Sequence, residues 1–444
     1  MGAYFGTDGF RGRANVTITA RHAFCIGQYL GKYYVQKKGE ARILIGKDTR
    51  VSSYMLESAM TAGITSSGAD AYLLHVTTTP SVSYLVRTDG FDCGVMISAS
   101  HNPYYDNGIK LFNGEGEKAD DALIFGVEEN LLRSDFSGFG SEVGKIVDWI
   151  AGRNRYIAYL LAISSRSFRG YKVGLDCSNG SAWMIAKCVF DALGAQTECI
   201  GVSPNGKNIN ETCGATDVRR LCKLVQDRGL DVGFAFDGDA DRCICVDEKG
   251  NVVDGDGILF ACALALKERG ELGENAVVAT QMSNYGLTLS LQRKGIACVS
   301  SQVGDRYVYE EMLSRGLLLG GEQSGHVIFR KYARTGDGLV TAIKMMEILT
   351  EKKCPASLLT EGLCRLPQVQ KSVYVSNKMR ILQDERFLSA QFCAEKEIGS
   401  GRVFIRPSGT EEKIRILVEG EDEFTCRAIA DRIENVVLKI EEGN

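Results

Sequence analysis

The feature that most restricts the fold is a pattern written three times. Ile43-Leu44-Ile45-Gly46 runs into the polar turn Lys47-Asp48-Thr49-Arg50; an amphipathic stretch reaches Ser67, and Gly68 precedes an apolar run from Ala71 to Leu74. Lys172-Val173-Gly174-Leu175 leads likewise into Asp176-Cys177-Ser178-Asn179-Gly180, a helix-like stretch, Gly194-Ala195 and another strand. Val277-Val278-Ala279-Thr280 leads into Met282-Ser283-Asn284-Tyr285-Gly286, then Leu287 to Lys294, Gly295, and the run from Ile296 to Ser300. Each copy reads as strand, polar turn, helix, glycine C-cap and strand, which is a βαβ unit. Any α/β protein uses this grammar, so the copies need share no ancestry. The expected fold is three tandem α/β domains with mixed, mostly parallel sheets, their turns at strand carboxyl ends. The C-terminal segment differs. It runs Val403-Phe404-Ile405, a Pro-Ser-Gly-Thr turn, Ile414 to Val418, and a helix from about Glu423 to Glu441, which makes a small α+β domain.

A chain of 444 residues is too long for one core and fits three or four domains. Its net charge of −4 gives no electrostatic footprint for nucleic acid or an anionic membrane, so an anionic ligand needs a local basic cluster. Asp8 and Arg11 interrupt the N-terminus before any apolar run, so no secretory signal is expected. Met1-Gly2 opens like a myristoylation site, but Gly6 stands where Ser or Thr is needed. The most apolar stretch, Gly257 to Leu266, is far shorter than the roughly 18 residues of a membrane span. The 15 cysteines are scattered and form no C-x-x-C pair, which reads as buried reduced thiols in the cytoplasm rather than disulfides or zinc. With four histidines far apart in sequence, a metal here must be held by oxygen.

Four local motifs carry chemistry. Ser98-Ala99-Ser100-His101-Asn102-Pro103 follows the strand-like Gly94 to Ile97, and Pro103 keeps Asn102 out of the α region, which places Ser100 in an exposed turn. A nucleophilic serine needs an activator and a cation, and His101 and Lys110 are near enough to serve, although a capped turn explains the motif alone equally well. Asp237-Gly238-Asp239-Ala240-Asp241-Arg242 follows the apolar run from Val232 to Phe236, and three alternating carboxylates repel unless a hard cation sits among them. Ile244 and Glu248 fall at the eighth and twelfth positions of an EF-hand loop. Arg242 nevertheless occupies the turn glycine's place, and both flanks read as strands. Mg²⁺ is the expected ion.

Gly320-Gly321-Glu322-Gln323-Ser324-Gly325-His326 offers a carboxylate, a hydroxyl and an imidazole to vicinal sugar hydroxyls, and equally suits a polar hairpin. Arg406-Pro407-Ser408-Gly409-Thr410 with Arg415 combines a glycine turn, two hydroxyls and two guanidinium groups into a phosphate cradle, the alternative being a plain turn. Gly201 to Asn208 nearly spells a Walker A loop, but Asn208 replaces its Ser/Thr and no amphipathic helix follows. Gly138-Phe139-Gly140 lacks the third glycine of a dinucleotide fingerprint.

In this order, the four motifs resemble those of the α-D-phosphohexomutase superfamily, and Gly6-Thr7-Asp8-Gly9-Phe10-Arg11-Gly12 is similar to its opening motif. The resemblance runs from residue 4 to about 420. Val303-Gly304-Asp305-Arg306-Tyr307-Val308, the 320–326 loop with Gln323, and Thr335-Gly336-Asp337-Gly338 are most like the superfamily's bacterial phosphoglucosamine-mutase branch. It implies four domains around a central cleft: 1–155 with a phosphoserine loop, 156–253 with a metal loop, 254–365 with a sugar loop, and 370–444 with a phosphate loop. Ser100 would be the phosphoserine. A phosphate oxygen on it, with Asp237, Asp239 and Asp241, would hold Mg²⁺. Lys110, His101, Arg11 and Arg242 would surround the transferring group. Glu322, Ser324 and His326 would read the sugar, and Arg406, Ser408, Gly409, Thr410 and Arg415 would grip the resting phosphate.

The implied reaction interconverts glucosamine 6-phosphate and glucosamine 1-phosphate through a hexose or hexosamine 1,6-bisphosphate, on the route to cell-wall amino sugars. The partner is a small sugar phosphate, with no nucleic acid and no membrane. Monomer and homodimer both stay open. So do a mutase for glucose or mannose phosphate, a phosphatase-like enzyme and a non-catalytic sugar-phosphate sensor. Phe10 and Ala240 depart from the Val and Gly usual in close relatives.

Overall fold

Parallel pairing appears where the repeated pattern requires it. Arg42–Lys47 pairs in parallel with Asp70–Val76, and Lys172–Asp176 with Gln196–Ile200. The computed structural model describes residues 4–6, 8–132, 142–408 and 411–443. They divide into a unit of residues 1–282 and 298–361, and a unit of residues 283–297 and 362–444.

The first unit holds three sheets. The seven-stranded sheet runs Phe5–Gly6, Gly9–Arg13, Asp106–Asn113, Cys93–Ile97, Arg42–Lys47, Asp70–Val76, Ile146–Asp148 in space. The five-stranded sheet runs Val252–Val253, Cys243–Asp247, Val232–Phe236, Lys172–Asp176, Gln196–Ile200. The four-stranded sheet runs Ala297–Ser301, Ala276–Thr280, Leu319–Gly321, Val327–Phe329.

One geometry recurs in all three. A strand lying parallel to its neighbour turns back into an antiparallel partner: Cys93–Ile97 into Asp106–Asn113, Val232–Phe236 into Cys243–Asp247, and Leu319–Gly321 into Val327–Phe329. Each of these turns carries one of the predicted chemical loops.

Both faces of the large sheet are covered. Ile43, Ile45, Val95 and Ile97 meet Leu56, Met60 and Ile64 on one side, while Leu44 and Met96 meet Val82, Leu85 and Val86 on the other. Helix Thr79–Asp89 begins where the Thr78 side chain accepts the Ser81 N–H and Pro80 sits in the first turn, as an N-terminus favours. Helix Gly255–Glu268, which contains the most apolar stretch of the sequence, is an ordinary buried helix capped by Asp254. Among the described residues no helix is long and apolar enough to cross a membrane. All 15 cysteines are free.

The second unit is an antiparallel sheet ordered Gln368–Tyr374, Lys413–Glu419, Arg402–Pro407, with Val373, Ile414, Ile416 and Val418 packed against Ile429, Ile433 and Val437 of helix Glu423–Glu442. Strand Gln368–Tyr374 and helix Glu385–Glu397 extend this part beyond the elements read from the sequence. Helix Tyr285–Arg293 belongs to it because the Asn284 amide bonds both the N–H and the carbonyl of Leu366, and Glu419 accepts the Tyr285 N–H.

A Cβ added at Gly255 would fall 1.9 Å from the Glu322 carbonyl oxygen, so the helix start and the 322–326 loop touch backbone to backbone. Helix propensity alone would make Gly255→Ala stabilising by up to about 1 kcal/mol. The contact reverses the sign: the variant should lose about 2 kcal/mol in chemical denaturation.

Candidate functional site

Ser100 lies in the turn after strand Cys93–Ile97, but the exposed position expected of it is not observed. It is only 1% exposed, because Asn210 and the aspartate loop close over it; a Cβ on Gly238 would come 2.5 Å from the Ser100 carbonyl oxygen. The residue adopts φ 51°, a left-handed conformation that costs an L-residue about 1–2 kcal/mol and persists only when neighbours fix it. Its N–H donates to Ser98 Oγ at 2.9 Å. Its Oγ donates to Asp237 Oδ2 at 2.5 Å and sits 3.4 Å from His101 Nδ1.

Asp237, Asp239 and Asp241 are all buried, and each offers an oxygen within 4.8 Å of the others. Ala240 takes φ 58°, bending the loop so that alternate side chains converge. Thr79 Oγ1 and Lys110 Nζ donate to Asp239 Oδ2 at 2.5 and 2.8 Å, and Lys110 reaches Asp241 Oδ2 at 2.8 Å. Asp239 Oδ1 and Asp241 Oδ1 are buried without a hydrogen-bond partner. Three carboxylates with two orphaned oxygens fit a hard divalent cation that takes further oxygen ligands.

The charges agree with that fit. Burial, then Asp241 and Asp239, push the Asp237 carboxyl up to about 8. Burial presses on Asp241 in the same direction, but Lys110, His326 and Arg242 hold it well below the carboxylate range. Lys110 is itself buried, which disfavours its charge, yet Asp239, Asp241 and Asp8 keep the ammonium well above its ordinary pKa.

His101 behaves oppositely: burial, Arg242 and Arg11 pull it down to about 4, so the ring is neutral at physiological pH. Arg11 pairs with Asp8, and the Nε atoms of Arg11 and Arg242 are buried without hydrogen-bond partners. Lys118 bridges Asp305 at 2.6 Å and Asp8 at 3.6 Å. A cavity of about 620 Å³ opens beside Lys110 and Lys118, lined also by Gly6, Gly9, Arg306 and Tyr307, and a volume of that order accommodates a sugar phosphate.

The loop after Leu319–Gly321 divides by role. Ser324 is exposed and Glu322 partly so; Glu322 Oε1 accepts the Gly304 N–H at 3.2 Å. Burial, with Asp305 adding to it, raises the Glu322 pKa against the pull of His326 and Arg242. Gln323 turns back to the helix cap, its Nε2 3.4 Å from Asp254 Oδ2.

His326 is 3% exposed and does not present a free nitrogen: Nδ1 faces Asp241 at 3.7 Å, and Nε2 accepts the Gly336 N–H at 3.0 Å. Burial opposes its charge while Asp241, Asp305 and Glu322 push its pKa up to about 9. A ring protonated on both nitrogens would leave the buried Gly336 N–H without an acceptor. The Gly336 hydrogen bond and the surrounding carboxylates, with Asp305 Oδ2 3.5 Å from Nε2, pull in opposite directions, and both are compatible with a proton on Nδ1 toward Asp241.

In the second unit, Arg406 and Arg415 stand directly opposite on antiparallel strands. Burial and the Arg415 charge lower the Arg406 pKa, and Arg415 Nε is buried without a hydrogen-bond partner. Like charges in cross-strand register are unfavourable unless an anion joins them. Ser408 is buried, its N–H bonded to the Lys413 carbonyl at 2.8 Å; Gly409 and Thr410 lie outside the described residues.

Sequence reading missed several members of the first-unit site. Thr79 had a usable signal in the N-cap run Thr78-Thr79-Pro80, and Asp305 lies in a motif already singled out. Arg50 stands in the polar turn of the first βαβ copy, which the sequence does not connect to the Ser100 loop, and Asn210, which also braces that loop, had no signal.

Four profiles described as phosphoglucomutase/phosphomannomutase match the chain: alpha/beta/alpha domain I over residues 2–137, domain II over 154–250, domain III over 254–365, and the C-terminal domain over 372–436. A phosphoglucosamine mutase from Lachnospira eligens is 52% identical over 443 residues, covering 98% of each chain. Among solved structures, a phosphoglucomutase/phosphomannomutase family protein from Burkholderia thailandensis has the same fold, with TM-score 0.80 at 22% identity over 100% of this chain and 98% of its own. The N-acetylphosphoglucosamine mutase of Aspergillus fumigatus, solved with GlcNAc-6P and magnesium, aligns with TM-score 0.66 at 16% identity, covering 99% and 96%.

The raised Asp237 pKa sets a pH dependence. Folded, metal-free protein holds this proton up to about pH 8, whereas the unfolded chain releases it near its ordinary value of 3.8. Stability is therefore present at low pH and lost as pH rises through that window. Chelated protein should melt at progressively lower temperature between about pH 5 and 8, and Asp237→Asn should flatten the slope. An equal slope in the variant would contradict the assignment.

Proposed function

The chain belongs to the phosphoglucomutase/phosphomannomutase family, and we propose that it interconverts glucosamine 6-phosphate and glucosamine 1-phosphate through a phosphoserine at Ser100. It is an isomerase of the phosphohexomutase type. The observation that carries the phosphoserine is the position of Ser100 Oγ, 2.5 Å from Asp237 Oδ2 in a triad of buried carboxylates that also binds an unusually basic lysine, and 3.4 Å from a neutral histidine. Free thiols throughout the chain fit a reducing cytoplasm.

Asp237, Asp239 and Asp241, with a phosphate oxygen on Ser100, would hold Mg²⁺, the ion named with the Aspergillus relative. Bound there, it would supply positive charge against the phosphoryl oxygens. The chain's own cations do the remaining electrostatic work. Lys110 stays protonated and stabilises charge on the passing phosphoryl group; Arg11 and Arg242 offer unsatisfied guanidinium donors to the same group.

Neutral His101, with Nδ1 3.4 Å from Ser100 Oγ, is the acceptor for the serine proton when the serine takes phosphate back. The phosphoserine passes its phosphoryl group to the free hydroxyl of the hexosamine monophosphate, and the bisphosphate turns end for end. Ser100 then recovers the other phosphate. Glu322 and Ser324 read sugar hydroxyls, Arg406, Ser408, Gly409, Thr410 and Arg415 grip the phosphate not being transferred, and His326 orients Asp241 rather than touching sugar.

The choice of glucosamine rests on relatives such as the phosphoglucosamine mutase 52% identical over nearly the whole chain, and not on Gln323, which faces Asp254. A mutase for glucose or mannose phosphate is the second reading, and a site that distinguishes an ammonium from a hydroxyl at C2 should differ by about 5- to 150-fold.

Two outcomes follow. Ser100→Ala should lose at least about a thousandfold in kcat, and peptide mass analysis should find one labile phosphate on Ser100 in the wild type. In a coupled assay, kcat/KM should favour glucosamine phosphate over glucose phosphate on one preparation. Equal values would discard the glucosamine assignment and leave the mutase standing.

A further inference from the structure

A residue with no access to substrate holds the nucleophile's loop from behind. Arg50 follows strand Arg42–Lys47 and is fully buried, as is Asp48 beside it. Arg50 Nε donates to Asp48 Oδ2 at 2.8 Å. Nη1 donates to the carbonyls of Pro103 and Asp106, and Nη2 to those of Ser100 at 2.9 Å and Asn102 at 2.8 Å. A guanidinium has five N–H donors in a rigid fork, and here every one meets an acceptor. Four of those acceptors are backbone carbonyls between residues 100 and 106.

The bracing is closed on the other sides too. Asp48 Oδ2 also accepts from Ser98 Oγ at 2.6 Å, so the same ion pair grips the loop before and after the nucleophile. Asn210 Nδ2 donates to the Ser100 and Asn102 carbonyls at 2.9 and 3.0 Å, converging on the two oxygens that Arg50 holds.

Two consequences follow for Ser100. The left-handed turn at φ 51° is held by donors on its carbonyl as well as by the bonds of its own N–H and Oγ. No peptide bond among the described residues is cis, and in a trans peptide the C=O and N–H point in opposite directions. Drawing the Ser100 oxygen onto Arg50 therefore turns the His101 N–H the other way, where no acceptor meets it among the described residues.

We infer that Arg50 is a positioning residue for phosphoryl transfer, fixing the Ser100 turn so that Oγ meets the aspartate loop while the His101 N–H is presented to the phosphoryl oxygens. The inference rests on Ser100 as the phosphoryl carrier. Its own content is that Arg50 acts through the two shared carbonyls.

The test uses the full-length, Mg²⁺-loaded enzyme. Arg50→Lys keeps the charge and loses the fork. The expected result is a kcat lower by about a hundredfold with KM for the sugar phosphate nearly unchanged, and a moved ³¹P resonance of the Ser100 phosphate. Wild-type kcat, KM rising in proportion as kcat falls, or an unmoved resonance overturns the inference.

Should Arg50→Lys fail to fold by circular dichroism, Asn210→Ala removes only the second donor. It should lower kcat about fivefold with KM unchanged, and an unchanged kcat overturns the inference equally. The Ser100 reading fails on a separate result, namely wild-type enzyme with no phosphate at Ser100 and an active Ser100→Ala.

Discussion

Three carboxylates held within 4.8 Å of one another, out of water, set the terms for everything around them. Such a cluster repels itself, and the surroundings are arranged to contain that repulsion without ending it. Lys110 binds two of the three, His326 stands behind Asp241, and the Arg242 N–H meets Asp237. Two oxygens remain orphaned and Asp237 remains hard to ionise. The cluster's own side chains thus leave it short of positive charge.

The placement of that cluster comes from one recurrent piece of backbone. In each sheet of the first unit, a strand with a parallel neighbour reverses into an antiparallel one, and the reversal carries the chemistry. In the second unit, whose three strands are all antiparallel, Arg402–Pro407 and Lys413–Glu419 set Arg406 directly opposite Arg415. Antiparallel partners let the turn be short, and short turns fix side-chain direction within narrow limits. The turns of the first two βαβ copies have another task. They brace the hairpins: Asp48 and Arg50 under the Ser100 loop, and the Ser181 N–H on the Gly238 carbonyl.

This division explains what the sequence disclosed. Ser100 and the three aspartates were legible because each loop carries its residues contiguously or at alternating positions, whereas Arg406 and Arg415 come together only by cross-strand register. The βαβ repeats were legible from periodicity, and the C-terminal helix within a residue at its end. The burial of Ser100 was not, because its cover comes from Asn210 and Gly238, more than a hundred residues away in the chain. The same holds for Lys118 on Asp305 and for the inward turn of His326 and Gln323, whose partners are fixed by tertiary contact and leave no local pattern.

Helix Tyr285–Arg293 gives the chain an unusual continuity. It precedes three of the four strands of the third sheet, yet its cap residue Asn284 holds Leu366 and its first N–H holds Glu419. A nick after Glu361 would therefore not separate the protein along its unit boundary. The larger fragment would retain a piece of the smaller one's structure, and the smaller fragment would begin with backbone groups at Leu366 lacking their partner. Two such pieces are complementary halves of one folding problem. Recombination that exchanged residues 362–444 alone would leave helix Tyr285–Arg293 of the same unit behind.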